Sequence, residues 1–333
     1  EMRKAIFWTV VLAMLAAFAA LPANGLAQVK EVKIAGFPFG HHKAFYQYWK
    51  DAGIHKEVES KFNVRLNVQF IQDDFAAWAG KKVDVGFFSA LEIARVRTQN
   101  NWDAVQFGVE STGYVEWYVR KDSSYKSVKD LKGKKIGLPG WDTSAAQDGT
   151  VMVHELFGLN LRKDFRVIIS RWPALPSLLA RGDVEAIANL YYLTLPQMEA
   201  GKFRILFGTY AKEWQKRTGH LGLSVTHWTA FADWLDKNTN GARAILYACT
   251  KAQTYFMNNT DAFLAKYHKF FRKKSTPAQR SYMAKWIQRI EPVVRDCHLT
   301  PDYVKKESEY LQAAAKLGLV DNKGIQGLFR IIR

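Results

Sequence analysis

The sequence predicts an α/β protein of two lobes joined by two extended crossings, and three observations carry that prediction. A chain of 333 residues is long enough for two domains. Strand and helix patterns alternate in two separate series, one before and one after residue 120. Two stretches of extended character, residues 113–121 and 222–227, stand where the chain would pass between the series. With 48% hydrophobic and 14% aromatic residues, intrinsic disorder is excluded as the dominant state. The two cysteines, Cys249 and Cys297, allow at most one bridge, so neither a disulfide scaffold nor a Cys-rich metal site is available.

Each element has its own signal. Residues 29–36 alternate apolar and polar like a first strand, broken by Phe37-Pro38-Phe39-Gly40. Residues 43–60 place Phe45, Tyr48, Trp49 and Ala52 at helical spacing, and 64–70 return to period two, completing a βαβ unit. A buried-type strand follows at 83–88, then a helix at 90–99. The second series reads strand 135–138, helix 144–157, strand 165–170, helix 175–181 and strand 186–190. From 230 to 315 the pattern is helical, punctuated by Asn238-Thr239-Asn240-Gly241 and Asn258-Asn259. These late helices are expected to lie on the first lobe. The alternating runs at 113–121 and 222–227 are the expected hinge.

The opening Met2-Arg3-Lys4, an apolar run from Ala5 to Leu21 and the small residues Gly25 and Ala27 have the three regions of a secretory signal peptide, with cleavage expected after Ala27. The competing reading, a membrane anchor, needs about 20 apolar residues, for which this run is marginal. The formal charge is +17, from 48 Lys+Arg against 31 Asp+Glu. Loss of residues 1–27 removes Arg3, Lys4 and Glu1, leaving +16, so the basicity belongs to the folded body. Lys81-Lys82, Lys134-Lys135 and Arg272-Lys273-Lys274 are dispersed, unlike the concentrated basic face of a nucleic-acid binder. No nucleic-acid partner is expected. Neither G-x-S-x-G, a G-x-x-x-x-G-K phosphate loop nor H-E-x-x-H occurs, and no enzyme activity, cofactor or metal is expected.

Three motifs carry a resemblance. The run from Ser127 to Gly140, with Asp130-Leu131-Lys132-Gly133-Lys134-Lys135 at its centre, resembles the "DLKGKK" signature of type II periplasmic solute-binding proteins, in the branch of nitrate, taurine, alkanesulfonate and pyrimidine-precursor binders. Gly80-Lys81-Lys82-Val83-Asp84-Val85-Gly86 resembles that family's G-x-x-D-x-G segment, and Leu178 to Ala186, with Pro196 and Gly201 beyond, resembles its counterpart in the second lobe. The resemblance implies a two-lobe Venus-flytrap receptor. Lobe 1 would comprise residues 28–115 and 226–333 and lobe 2 residues 116–225, closing about two hinge crossings. It also implies a monomeric periplasmic protein that delivers a small organic solute to ABC transporter permease subunits. A sensor that presents its ligand to a histidine kinase is the alternative partner reading. A fungal pyrimidine synthase shares the fold but carries a cysteine cluster that this chain lacks.

Ligands of open α/β sheets bind beyond the carboxyl ends of the strands, which selects the candidate residues. Phe37, Phe39, His41 and His42 follow the first strand and offer aromatic walls and imidazoles, or else lobe packing and solvated histidines. Two adjacent histidines without further placed ligands make a poor metal chelator. Gln72, beside Asp73 and Asp74, follows the second strand. Ser89 and the Ala90 amide follow the third, where Ser89 is equally a helix cap. Trp141, Thr143 and Ser144 sit at a helix N-terminus suited to a carboxylate, sulfonate or nitrate, with Trp141 expected to cover the ligand. Asp142 there argues against a bare inorganic anion. Trp172, Asn189, Tyr191 and Tyr192 complete the expected lining. The solute is therefore read as organic and acidic, sulfonate or taurine-like or an aromatic carboxylate, with a pyrimidine or thiamine precursor as the alternative.

Overall fold

The computed structural model describes residues 29–36, 40–71, 73–219 and 224–332, except the side chains of Ser224 and Val225. The expected leader and its cleavage point lie outside the described residues, as do Phe37, Phe39 and Gln72. No described helix is long and apolar enough to cross a membrane.

Two five-stranded sheets form the frame. The first comprises β1 (Lys30–Gly36), β2 (Val64–Phe70), β3 (Val85–Phe88), β4 (Ala104–Thr112) and β10 (Ser224–Phe231), in the order β2-β1-β3-β10-β4. The second holds β5 (Val115–Arg120), β6 (Lys135–Leu138), β7 (Arg166–Ile169), β8 (Ala186–Leu190) and β9 (Phe203–Phe207), ordered β7-β6-β8-β5-β9. Both follow one plan. Three strands pair in parallel, and the antiparallel strand beside them is the one that has just arrived from the other sheet: β10 in the first, β5 in the second. The chain leaves the first sheet between Thr112 and Val115 and returns to it at Ser224, which pairs with Thr112, so the two crossings run side by side.

The helices between strands are α1 (Gly40–Asp51), α2 (Ile54–Phe62), α3 (Asp74–Ala79) and α4 (Ala90–Gln99) on the first sheet. On the second they are α5 (Ser144–Phe157), α6 (Leu175–Arg181), α7 (Tyr191–Glu199) and α8 (Tyr210–Thr218). The single helix read at 43–60 is two, because Gly53 takes φ 71° between them, a left-handed conformation that stops α1 and redirects the chain. Strand β4 has no alternating pattern because all nine positions are buried, its polar side chains included. Gln106 Nε2 donates to the Phe88 carbonyl at 3.0 Å, and Thr112 Oγ1 to the Glu291 carbonyl at 2.7 Å.

The late helices are α9 (Ala232–Lys237), α10 (Thr239–Asn258), α11 (Thr260–Tyr267), α12 (Pro277–Ile290), α13 (Pro301–Lys316) and α14 (Asn322–Ile325). The helical reading of 230–315 does not hold at Ala230 and Phe231, which belong to β10, nor at residues 271–276 and 291–300, which lie outside any helix. Of these helices, α10 packs against α1 and α2. The helices α12 and α13 also reach the segments around the second sheet. Glu116 on β5 is fully buried and accepts from Trp286 Nε1 at 3.2 Å and Arg289 Nη2 at 2.7 Å, both on α12. Tyr310 on α13 donates to Asp148 of α5 at 2.6 Å, while Tyr303 of the same helix meets His227 Nε2 of β10 at 2.8 Å. Thus α13 is fastened to β10 of the first sheet and to α5 beside the second, by polar anchors that helical periodicity does not reveal.

Candidate functional site

A cleft of about 390 Å³ opens where the carboxyl ends of the parallel strands of both sheets face one another. From the first sheet come His42, Asp74, Phe75, Phe87, Phe88, Ser89 and Glu92; from the second, Asp142, Thr143, Ser144, Trp172, Pro173, Leu190, Tyr192 and Leu193. Tyr114 and Thr226 add the crossings themselves. A larger hollow of about 510 Å³ lies along the edge strand β2, but one lobe alone lines it. The cleft is the better candidate because both sheets contribute to its lining.

Local hydrogen bonds explain why these side chains stand where they do. Ser89 caps α4, its Oγ accepting from the Glu92 amide at 3.1 Å, which sets Glu92 in the first helical turn at the cleft. Asp73 caps α3 in the same way, accepting from the Ala76 amide at 3.0 Å, and leaves Asp74 to face the cavity. Thr143 Oγ1 donates back to the Gly140 carbonyl at 2.7 Å, so α5 begins without a side-chain cap and Ser144 borders the cleft. Asn189 holds Trp172 in place, its Nδ2 donating to the Trp172 carbonyl at 3.3 Å while its Oδ1 accepts from the Leu190 amide at 2.9 Å.

The electrostatics of the cleft are acidic. Asp74, Glu92 and Asp142 line it, and no Lys or Arg does among the described residues. Residues 37–39, 72 and 220–223, outside the described set, contain no Lys or Arg either. Burial raises the Glu92 carboxyl to about 7, with Arg95 opposing and the carboxylates of Asp74 and Asp142 adding to the rise. Burial likewise raises Asp74.

Of the expected site residues, His42, Ser89, Thr143, Ser144, Trp172 and Tyr192 meet in the cleft. Ala90 is buried behind Ser89, and Asn189 is a positioning residue. Trp141 does not line the cavity: its ring is covered by Arg162, whose guanidinium carbon lies 3.8 Å from the ring centroid. Tyr191 is buried behind Tyr192, in a chain of ring contacts that runs from His41 to Tyr114 (5.5 Å), Tyr191 (6.0 Å) and Tyr192 (5.2 Å) and so connects the two lobes through a crossing residue. His41 also stands behind the lining. Burial and the neighbouring His42 push its pKa down to about 3 against the pull of Glu110. His42 Nδ1 pairs with Glu110 Oε1 at 2.9 Å, and Glu110 Oε2 accepts from Thr226 Oγ1 at 2.7 Å. Burial alone would raise Glu110, but the charge and hydrogen bond of His42 outweigh it and hold the carboxyl below its ordinary range.

Sequence reading missed Phe75, Phe87, Phe88, Glu92, Tyr114 and Thr226. The apolar run at 83–88 reads as core, and Glu92 as an ordinary first-turn acid; only its place three residues after a capping serine at a strand's carboxyl end pointed to the cleft.

Two sheets of this topology, each completed by the other's returning strand, define the type II periplasmic binding-protein fold, and solved structures agree. The periplasmic aliphatic sulphonate binding protein SsuA of Escherichia coli superposes with a TM-score of 0.71 at 14% identity, covering 91% of this chain and 93% of that one. The alkanesulfonate-binding protein SsuA of Xanthomonas axonopodis pv. citri, bound to MOPS, gives 0.68 at 16% over 91% and 99%. A protein of Bordetella bronchiseptica RB50 gives 0.68 at 19% over 90% and 94%. No curated protein matches the chain by sequence. The chain belongs to the NMT1/THI5 like family, whose model matches residues 48–262.

Proposed function

We propose that this protein is an extracytoplasmic solute receptor that closes its lobes, taken as residues 28–115 with 226–333 and 116–225, over one small organic molecule and hands it to an ABC permease. The cleft lined from both sheets carries the reading. Its volume is at the lower end of the roughly 300–1,000 Å³ usual for small-molecule sites. The expected secretory leader and the sulfonate-binding proteins of the same fold support the compartment and the transport role.

The lining argues against the acidic solute expected from sequence. Phe75, Phe87, Phe88, Tyr114, Trp172 and Tyr192 suit a flat ring, while Asp74, Glu92 and Asp142 accept hydrogen bonds and repel anions. The ligand class these groups favour is a planar solute bearing an amine or ring N–H. A pyrimidine precursor with an amino group is closer to that description than a sulfonate. The uncapped start of α5 at Thr143 and Ser144 favours one further feature, an acidic group at the opposite end of such a molecule.

A thermal-shift screen separates these classes. Amino-bearing heterocycles are expected to raise the melting temperature, as a ligand at 100 times its Kd adds about 2.7 kcal/mol. Simple sulfonates and carboxylates without a donor are expected to leave it unchanged, and the reverse ranking overturns the assignment of class. Affinity for a cationic solute should rise between pH 6 and pH 8, because Glu92 gains its negative charge as pH passes about 7. A flat pH profile for a solute that does not itself titrate there removes Glu92 from the contact.

A further inference from the structure

We propose that His41, His42 and Glu110 form a three-ligand site for a divalent transition metal of the zinc class, in the wall of the cleft. Adjacent histidines alone are a poor chelator, but the fold brings the buried Glu110 of β4 against the first turn of α1. One donor atom from each of the three residues lies within 4.8 Å of the others. Ligand atoms around a tetrahedral ion stand about 3.4 Å apart, so small side-chain rotations of roughly an ångström close the set.

A second observation points to a ligand at the same place. His41 is fully buried, and neither ring nitrogen has a hydrogen-bond partner; its flanks are the rings of Phe45 and Tyr114. Buried imidazole nitrogens are ordinarily satisfied, and an ion shared with His42 and Glu110 would satisfy one of them. Glu110 is already oriented for the task, with Thr226 holding Oε2 and Oε1 directed at His42. Two imidazoles and one carboxylate suit Zn²⁺ rather than Mg²⁺ or Ca²⁺, which take oxygen ligands. His42 also borders the solute cavity, so an ion held here stands beside the ligand.

The inference goes beyond the receptor reading and is tested without any solute. Metal-stripped full-length protein is titrated with Zn²⁺ against a chromogenic chelator. One tightly bound ion per chain is expected, with Glu110→Gln and His41→Phe each weakening it at least tenfold. His154→Gln and His298→Gln, which alter surface histidines beside carboxylates, should leave it unchanged. X-ray absorption of the zinc-loaded wild type, which needs no variant to fold, should show imidazole nitrogen and oxygen neighbours and no sulfur. Absence of stoichiometric zinc, affinity that survives Glu110→Gln in a folded variant, or a sulfur shell from Cys249 or Cys297 overturns the proposal.

Discussion

Asp148→Asn is expected to raise the unfolding free energy at pH 8, by up to about 4 kcal/mol, and to change it little near pH 4. Asp148 is buried on α5. Its Oδ1 accepts from Tyr310 at 2.6 Å, while Oδ2 has no hydrogen-bond partner. Burial raises the carboxyl from 3.8 to about 7 against the effect of the Tyr310 bond. The folded chain therefore keeps the proton up to about pH 7, whereas the unfolded chain releases it above about 4. Between those values the native state binds more protons, so this group's contribution to stability falls as pH rises, the reverse of an ion-paired carboxylate. Asparagine retains an oxygen for Tyr310 and cannot ionise. Urea unfolding at pH 4 and pH 8 checks the difference, and a variant no more stable than wild type at pH 8 contradicts it.

Glu116→Ala should cost about 3 kcal/mol, the lower end of what breaking a buried ion pair costs. The carboxylate accepts from Tyr118 at 2.7 Å as well as from Trp286 and Arg289, and its removal leaves three donors unanswered. Arg289 is 43% exposed and can turn to water, which moderates the loss. Glu116→Gln keeps an acceptor and should cost less. The same unfolding measurement decides the matter. A loss below 1 kcal/mol in Glu116→Ala would mean that α12 is held to β5 by apolar contacts alone.

These two residues also show where sequence reading stops. Elements with a clear local pattern, amphipathic or uniformly apolar, were legible almost to the residue: β2, α4, α5, α6, β6 and β8 fall at the boundaries that pattern and capping predict. Strand β4 was not legible, because a strand buried on both faces and carrying Gln106, Glu110, Ser111 and Thr112 has neither period nor uniform apolarity. Its polar residues make sense only beside partners far along the chain, such as His42 and Thr226. The same applies to Trp141 and Trp172. Both follow strands of the second sheet, and only Arg162, arriving from the far end of α5, covers one and leaves the other for the cleft. Loops after strands can be selected from sequence; which side chain of a loop faces inward depends on a neighbour that local pattern does not name.

The central claim is that the cavity between the two sheets binds the solute. It is tested most directly by isothermal titration of the best-binding solute from the thermal screen into the wild type, Trp141→Ala and the double variant Trp172→Ala with Tyr192→Ala. The cleft account predicts one site per chain, affinity nearly unchanged in Trp141→Ala, and affinity at least about a hundredfold weaker in the double variant, equivalent to about 2.8 kcal/mol. Unchanged affinity in a folded double variant, or loss confined to Trp141→Ala, would place the solute elsewhere and contradict the account.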